Sequence, residues 1–359
     1  MHERIAGTVH PKFAPLREAF AALEETSAGI AVQLDGETVV DLWTSGKWVQ
    51  NSIVNVFSVT KPLAALCVLR LVDKGEIELD AAVADYWPEY ATNGKESTTV
   101  RQILANQAGL VAFGAPHGTA LLYDWDKCVQ RIATEAPAWI PGERHGEAAL
   151  LYGYLAGEIV RRVDGRGFSR FFREEIAQPL GLDIHFGLPD EHLARAVDVE
   201  DPGGRWKSDL LDGAPDLRRR ALENPPGLLD PGTLNSRKWR KAELPGVNGH
   251  SGAVALAKLY GALANARSLE RVISSALFDE MVRVQAEGED AVFGMPASYG
   301  LGMRLDGGPF RSAEFGYGGI GGSVAFGNRA RNMSFAFVTG TLRGPERAMA
   351  LEKALLELI

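Results

Sequence analysis

Cysteine is almost missing from this sequence. Cys67 and Cys128 are the only two among 359 residues, too few for a disulfide framework. Cys67 lies in the apolar run Leu66-Cys67-Val68-Leu69, which predicts a buried free thiol. Histidine is scarce as well: the 7 histidines show neither H-E-x-x-H nor a paired spacing, so neither a metal centre nor a cofactor is expected. No window of about 18 apolar residues occurs, which excludes a bilayer-spanning helix. Positive charge is in the minority, with 38 Lys and Arg against 46 Asp and Glu and a net charge of −8. A nucleic-acid binder would need a basic surface to displace counterions. The stretch Met1–Leu23 alternates charged and apolar residues as an amphipathic helix would, and it lacks a secretory apolar core with a cleavage site. We therefore expect a cytoplasmic protein with neither a nucleic-acid nor a membrane partner.

What is present is ordinary in amount. Hydrophobic residues make up 46% and charged residues 23%, so the chain can bury a large core without a metal or disulfide staple. At roughly 150 residues per domain, the length suggests two lobes.

Patterning predicts a helix over 11–25, with Phe13, Leu16, Phe20 and Leu23 on one face. Two β-rich runs, Gly29–Gln33 and Thr38–Thr44, flank the turn pair Asp35-Gly36 and predict a hairpin. Ser58–Lys74 is apolar on nearly every side after Pro62, as a buried helix is. Further helices are predicted over 99–110, 120–135, 148–163 and 168–177. From about 185 to 247 the pattern dissolves into Pro, Gly and charge, and with Trp206 and Trp239 this segment reads as a wall over a cavity. Ser251 is expected to cap a helix over 252–266. Strand-like runs follow at Tyr299–Leu305, Phe310–Phe315, Ser323–Gly327 and Met333–Thr339, then a last helix at 345–358. Strands at both ends and helices between predict one sheet built from the two termini.

One Ser-x-x-Lys occurs, Ser58-Val59-Thr60-Lys61, at the head of the buried helix. Residues three apart on a helix share a face, so a lysine amine can reach the serine hydroxyl. If burial lowers its pKa, that amine can accept the hydroxyl proton. The plainer reading is a serine cap beside an exposed lysine. Against it, an idle cation at the start of an apolar helix would be costly. Rival motifs fail on context. Gly316-Tyr317-Gly318-Gly319-Ile320-Gly321 fits G-x-G-x-x-G but runs into a strand, and no acidic residue stands near position 341. No G-x-S-x-G is present; Gly249–Ala253 and Gly321–Ala325 both end in alanine.

With Ser58-x-x-Lys61 and a glycine-rich strand entry near the C-terminus, the chain resembles the serine β-lactamase-like hydrolases, which share the penicillin-binding-protein-like fold. It looks closest to the class C β-lactamase-related branch that includes family VIII carboxylesterases. The likeness runs from about residue 11 to 358 and includes Gln107-Ala108-Gly109-Leu110, Pro141-Gly142, Tyr152-Gly153, Asn248-Gly249-His250 and Gly319-Ile320-Gly321-Gly322-Ser323. It implies an α/β fold of the β-lactamase/transpeptidase kind: an antiparallel sheet flanked by helices, residues 1–85 plus 246–359, with a mainly helical lobe inserted at 86–245. It also implies Ser58 as nucleophile, Lys61 as its partner, and Tyr317-Gly318-Gly319 as the site-edging strand. The backbone N–H groups of Ile320 and Ser58 would then form an oxyanion hole.

The chain departs from the family at position 147. Counting from Pro141-Gly142, with Tyr152-Gly153 fixing the register, the family's catalytic tyrosine falls on Glu147. Asn106 stands where relatives commonly carry histidine, and Tyr317 also replaces a frequent histidine. Three explanations for Glu147 stay open. Its carboxylate relays protons with Lys61 or activates water; Tyr152 or Tyr154 supplies the hydroxyl; or the site is impaired and kept for binding an acyl or peptide ligand. The resemblance implies hydrolysis of small-molecule esters or amides through an acyl-enzyme, with little or no β-lactam hydrolysis.

Overall fold

Asp35 and Gly36 close their hairpin with positive φ values of 53° and 85°, the combination a type I′ turn needs. The computed structural model describes residues 4–359. This hairpin seeds a six-stranded sheet of β1 (Ile5–Val9), β2 (Ala28–Leu34), β3 (Glu37–Thr44), β4 (Phe315–Gly318), β5 (Val324–Asn328) and β6 (Met333–Thr339). The order is β1-β3-β2-β6-β5-β4, antiparallel throughout. Its central pair joins the two ends of the chain, with Leu34 opposite Met333 and Ala28 opposite Thr339.

Five helices matter for the site: α1 (Ala14–Ala22), α2 (Lys61–Asp73), α3 (Tyr152–Asp164), α4 (Ala253–Ala264) and α5 (Glu346–Leu356). Strand alternation sorts the sheet into two faces. Ile30, Val32, Phe335 and Phe337 pack with Leu16 and Phe20 of α1 and Leu351 and Leu355 of α5. Ala31, Ala336 and Val338 face the other way, into a larger core shared with α2, α3 and α4. Every residue of α2 from Lys61 to Leu69 is buried, as its uninterrupted apolar pattern requires. Both cysteines are free and buried. Among the described residues, no helix is long and apolar enough to cross a membrane.

Several sequence expectations change. Residues 5–9 form a strand rather than the start of a helix, because Ile5, Thr8 and Val9 suit the ladder with β3; residues 1–3 lie outside the described residues. The expected helix over 58–74 is a 3₁₀ turn, Phe57–Thr60, followed by α2. Ser251 does not cap α4. It sits in a two-residue strand, its hydroxyl donates to the carbonyls of Gly252 and Asp183, and Gly252 holds the N-cap position. Residues 310–314 are not a strand, since Gly307 and Gly308 both turn the chain at positive φ. Pro296–Tyr299 pairs with Ala286–Glu289 instead. The segment 185–247 is more ordered than its composition implies, with short helices at Trp206–Leu211, Asp216–Glu223, Pro231–Leu234 and Arg237–Lys241.

Candidate active site

Ser58 sits in the 3₁₀ turn that runs into α2, three residues before Lys61. The residue ahead of it, Phe57, takes φ 52°, a left-handed conformation that a bulky residue adopts only when its surroundings enforce it. Lys61 is fully buried, so the reading of an exposed lysine fails. Its Nζ has Ser58 Oγ at 2.8 Å, Glu147 Oε1 at 2.9 Å, and the carbonyl oxygens of Ala149 and Gly246 at 3.1 Å each. An ammonium carries only three N–H bonds, so these four acceptors compete. The two carbonyls can only accept. A neutral amine would therefore spend its two N–H bonds on them and turn its lone pair to Ser58. Burial pulls the Lys61 pKa below the ordinary lysine range, and the carboxylate of Glu147 works against that shift.

The Gly246 carbonyl reaches Lys61 because α3 presses against the chain there. A Cβ on Gly153 would stand 2.2 Å from the Gly246 nitrogen, so only glycine fits. Glu147 lies in the extended segment ahead of α3, and Ser58 Oγ donates to its Oε1 at 3.1 Å. Three backbone bonds pin this segment: Gly146 N–H to the Asn106 carbonyl at 3.0 Å, Glu147 N–H to Asp290 Oδ2 at 2.8 Å, and Ala148 N–H to Asn106 Oδ1 at 3.3 Å. Asp290 is itself buried and also accepts from Tyr299 O–H at 2.9 Å and from the N–H groups of Val292 and Phe293 at 2.8 Å each. Sequence reasoning missed Asp290, and nothing in its local pattern marks it.

Ser58 and Glu147 line a cavity of about 290 Å³ whose walls include Phe293, Phe310, Ile320, Val324 and Phe326. Tyr317, Gly318 and Gly319 line it as well. Tyr317 and Gly318 end β4, while Gly319 and Ile320 lie in the turn beyond it. The Tyr317 ring faces Lys61 Nζ at 5.8 Å, and its buried hydroxyl has no hydrogen-bond partner. The expected wall segment 185–247 reaches the cavity through Leu210, but Trp239 is buried elsewhere, donating to Asn55 Oδ1 at 3.1 Å. Tyr152 does not join the group that lines the cavity. It is fully buried and its hydroxyl donates to the Leu104 carbonyl at 3.1 Å. Tyr154 donates to the Leu122 carbonyl. Neither hydroxyl is bonded to Ser58 or Lys61, which removes the geometric support for either as a substitute for the tyrosine missing at 147.

Comparison with known proteins places the chain in a family. The Beta-lactamase family model matches residues 16–358. The chain is 32% identical to the Esterase/beta-lactamase LipL of Mycobacterium tuberculosis over an alignment of 367 residues, which covers 95% of this chain and 84% of that one. A solved family VIII carboxylesterase superposes with a TM-score of 0.90 at 33% identity, covering 99% of this chain and 100% of the other. A penicillin-binding protein homologue from Caulobacter crescentus gives a TM-score of 0.88 at 34% identity, with the same 99% and 100% coverage.

Proposed function

The chain belongs to the Beta-lactamase family, and from that premise we propose that it is a serine hydrolase of the carboxylesterase kind, cleaving small esters through an acyl-enzyme on Ser58. The observation that carries this reading is a single hydroxyl, Ser58 Oγ, held between Lys61 Nζ at 2.8 Å and Glu147 Oε1 at 3.1 Å on the wall of a largely apolar cavity. In the first step Ser58 Oγ bonds to the ester carbonyl carbon, and its proton passes to the Glu147 carboxylate. Lys61 steadies that carboxylate and the attacking oxygen. The negative charge gathers on the former carbonyl oxygen, where the N–H groups of Ser58 and Ile320 receive it. Collapse breaks the bond to the alkoxide, which leaves as alcohol with the proton from Glu147. Water then attacks the acyl-enzyme, giving its proton to Glu147, and the acid departs as Ser58 regains its hydrogen. The apolar walls favour an ester with an aliphatic or aromatic group, and we propose little or no β-lactam hydrolysis. A cytoplasmic location is also our proposal, supported by two cysteines that are both free.

The 2.9 Å Lys61–Glu147 pair favours a second reading. An ammonium that neutralises the carboxylate leaves it a weak base, and the site would then bind an acyl or peptide ligand without turning it over. A fluorophosphonate probe with p-nitrophenyl acetate or butyrate separates the two. The hydrolase reading expects one covalent adduct and measurable turnover, both lost in Ser58→Ala. Labelling that survives Ser58→Ala would refute Ser58 as nucleophile, and a wild-type chain that neither labels nor turns over supports the binding reading.

A further inference from the structure

Trp206 opens a short helix in the segment 185–247, and its indole Nε1 donates a 2.8 Å hydrogen bond to the carbonyl oxygen of Ile320. The same indole lies against Phe57, ring centroids 6.0 Å apart and planes tilted by 49°. It is buried, and Asp201 fixes its backbone by accepting the Trp206 N–H at 3.0 Å. Ile320 stands between glycines at 318, 319, 321 and 322, and glycine loses more conformational freedom on folding than any other residue. The turn restrains part of itself: Gly319 N–H donates to the Ser323 carbonyl at 2.7 Å and Gly322 N–H to that of Gly319 at 2.9 Å. The Ile320 carbonyl takes its partner from a segment more than a hundred residues away.

The turn also rests directly on Phe57. A Cβ on Gly321 would stand 2.6 Å from the Phe57 ring, and one on Gly319 would stand 2.6 Å from the Val56 carbonyl oxygen. One side chain thus bridges the two pieces of backbone flanking Ser58 and containing Ile320. We propose that Trp206 is a positioning residue for oxyanion stabilisation: its N–H fixes the glycine turn and its ring holds Phe57, so that the N–H groups of Ile320 and Ser58 converge on one point. This rests on the reading that those two groups receive the oxyanion. Preorganised donors stabilise the transition state more than the bound ester, so loosening them lowers kcat rather than raising KM.

The test compares wild type with Trp206→Phe, which keeps a ring against Phe57 and removes the donor. A second variant replaces the indole with its benzothiophene isostere, which keeps the shape and settles the matter should Trp206→Phe fail to fold. Both should lower kcat for p-nitrophenyl butyrate about 10-fold and leave KM within about twofold, and both should weaken a boronic acid inhibitor, whose adduct is tetrahedral and anionic, by a similar factor. An isostere with wild-type kcat and wild-type boronate affinity would overturn the proposal, as would a change confined to KM. Ser58→Ala is the control that distinguishes the failures. If wild type shows no Ser58-dependent turnover, the hydrolase reading itself falls and this proposal with it. If that turnover is present and the isostere is normal, only the role of Trp206 falls.

Discussion

Glu147 carries the sharpest consequence of any single residue. Its carboxylate touches both Ser58 Oγ and Lys61 Nζ, and a charge-assisted contact of that kind is about twice as strong as a neutral one. Glu147→Tyr would replace it with the phenol that the family resemblance implies for this place and leave Lys61 without its counter-charge, so the amine would lose protons more readily. We expect turnover of activated esters to rise about 10- to 100-fold, the worth of one regained proton-transfer partner, read as kcat/KM with p-nitrophenyl acetate. Glu147→Gln keeps the size and removes the base. Abolished turnover in Gln supports carboxylate catalysis, whereas an unchanged low rate supports an impaired site. The register that points to Glu147 was legible in the sequence, from Pro141-Gly142 on one side and Tyr152-Gly153 on the other. The Asp290 carboxylate that anchors its backbone was not, because that bond crosses between segments 143 positions apart and leaves no periodic trace.

His250 shows what a short element contributes. It lies in a two-residue strand between Val54–Asn55 and Ile184–His185, pairing with Asn55 on one side and His185 on the other. Burial first, and the nearby Arg240 charge second, pull its pKa down to about 3. The unfolded chain has an ordinary histidine pKa near 6.5 and takes up a proton below it, while the folded chain stays neutral down to about 3. Stability therefore falls as the pH drops through this window. Between pH 6.5 and 4 the group accounts for about 3 kcal/mol of that loss. Thermal unfolding across pH should give a shallower acid limb in His250→Gln than in wild type, and parallel limbs would refute the assignment. The long elements could be read from pattern alone: α2 from its unbroken apolar run, the β2–β3 hairpin from Asp35-Gly36. The small strands could not, since two residues carry no periodicity, and Ser251 looked like a helix cap because the strand pairing that holds it comes from the distant Val54 and Ile184.

At the scale of the whole molecule, the central strands β2 and β6 come from opposite ends of the chain. The α1–α5 layer behind them is likewise shared between the ends, with Phe20 packed edge-on to Phe337 at 6.5 Å. A chain cut after residue 314 lacks β4, β5, β6 and α5, leaving the apolar faces of β2 and α1 uncovered. We expect that fragment to yield no protease-resistant core in limited proteolysis, where the full chain does. A stable, resistant fragment would mean that the helical part folds without the sheet. Contacts of such sequence separation also make for slow folding, since loop closure must be achieved before they are rewarded.

The same topology has a consequence for the chain while it is being made. A ribosome delivers Ser58 and Lys61 long before Ile320 and the strands around it. The growing polypeptide therefore carries the hydroxyl proposed to attack long before it owns the backbone donors proposed to reward the attack. On that proposal synthesis itself acts as a safety catch: a half-made chain holds the hydroxyl but has nowhere to put the charge its attack would create.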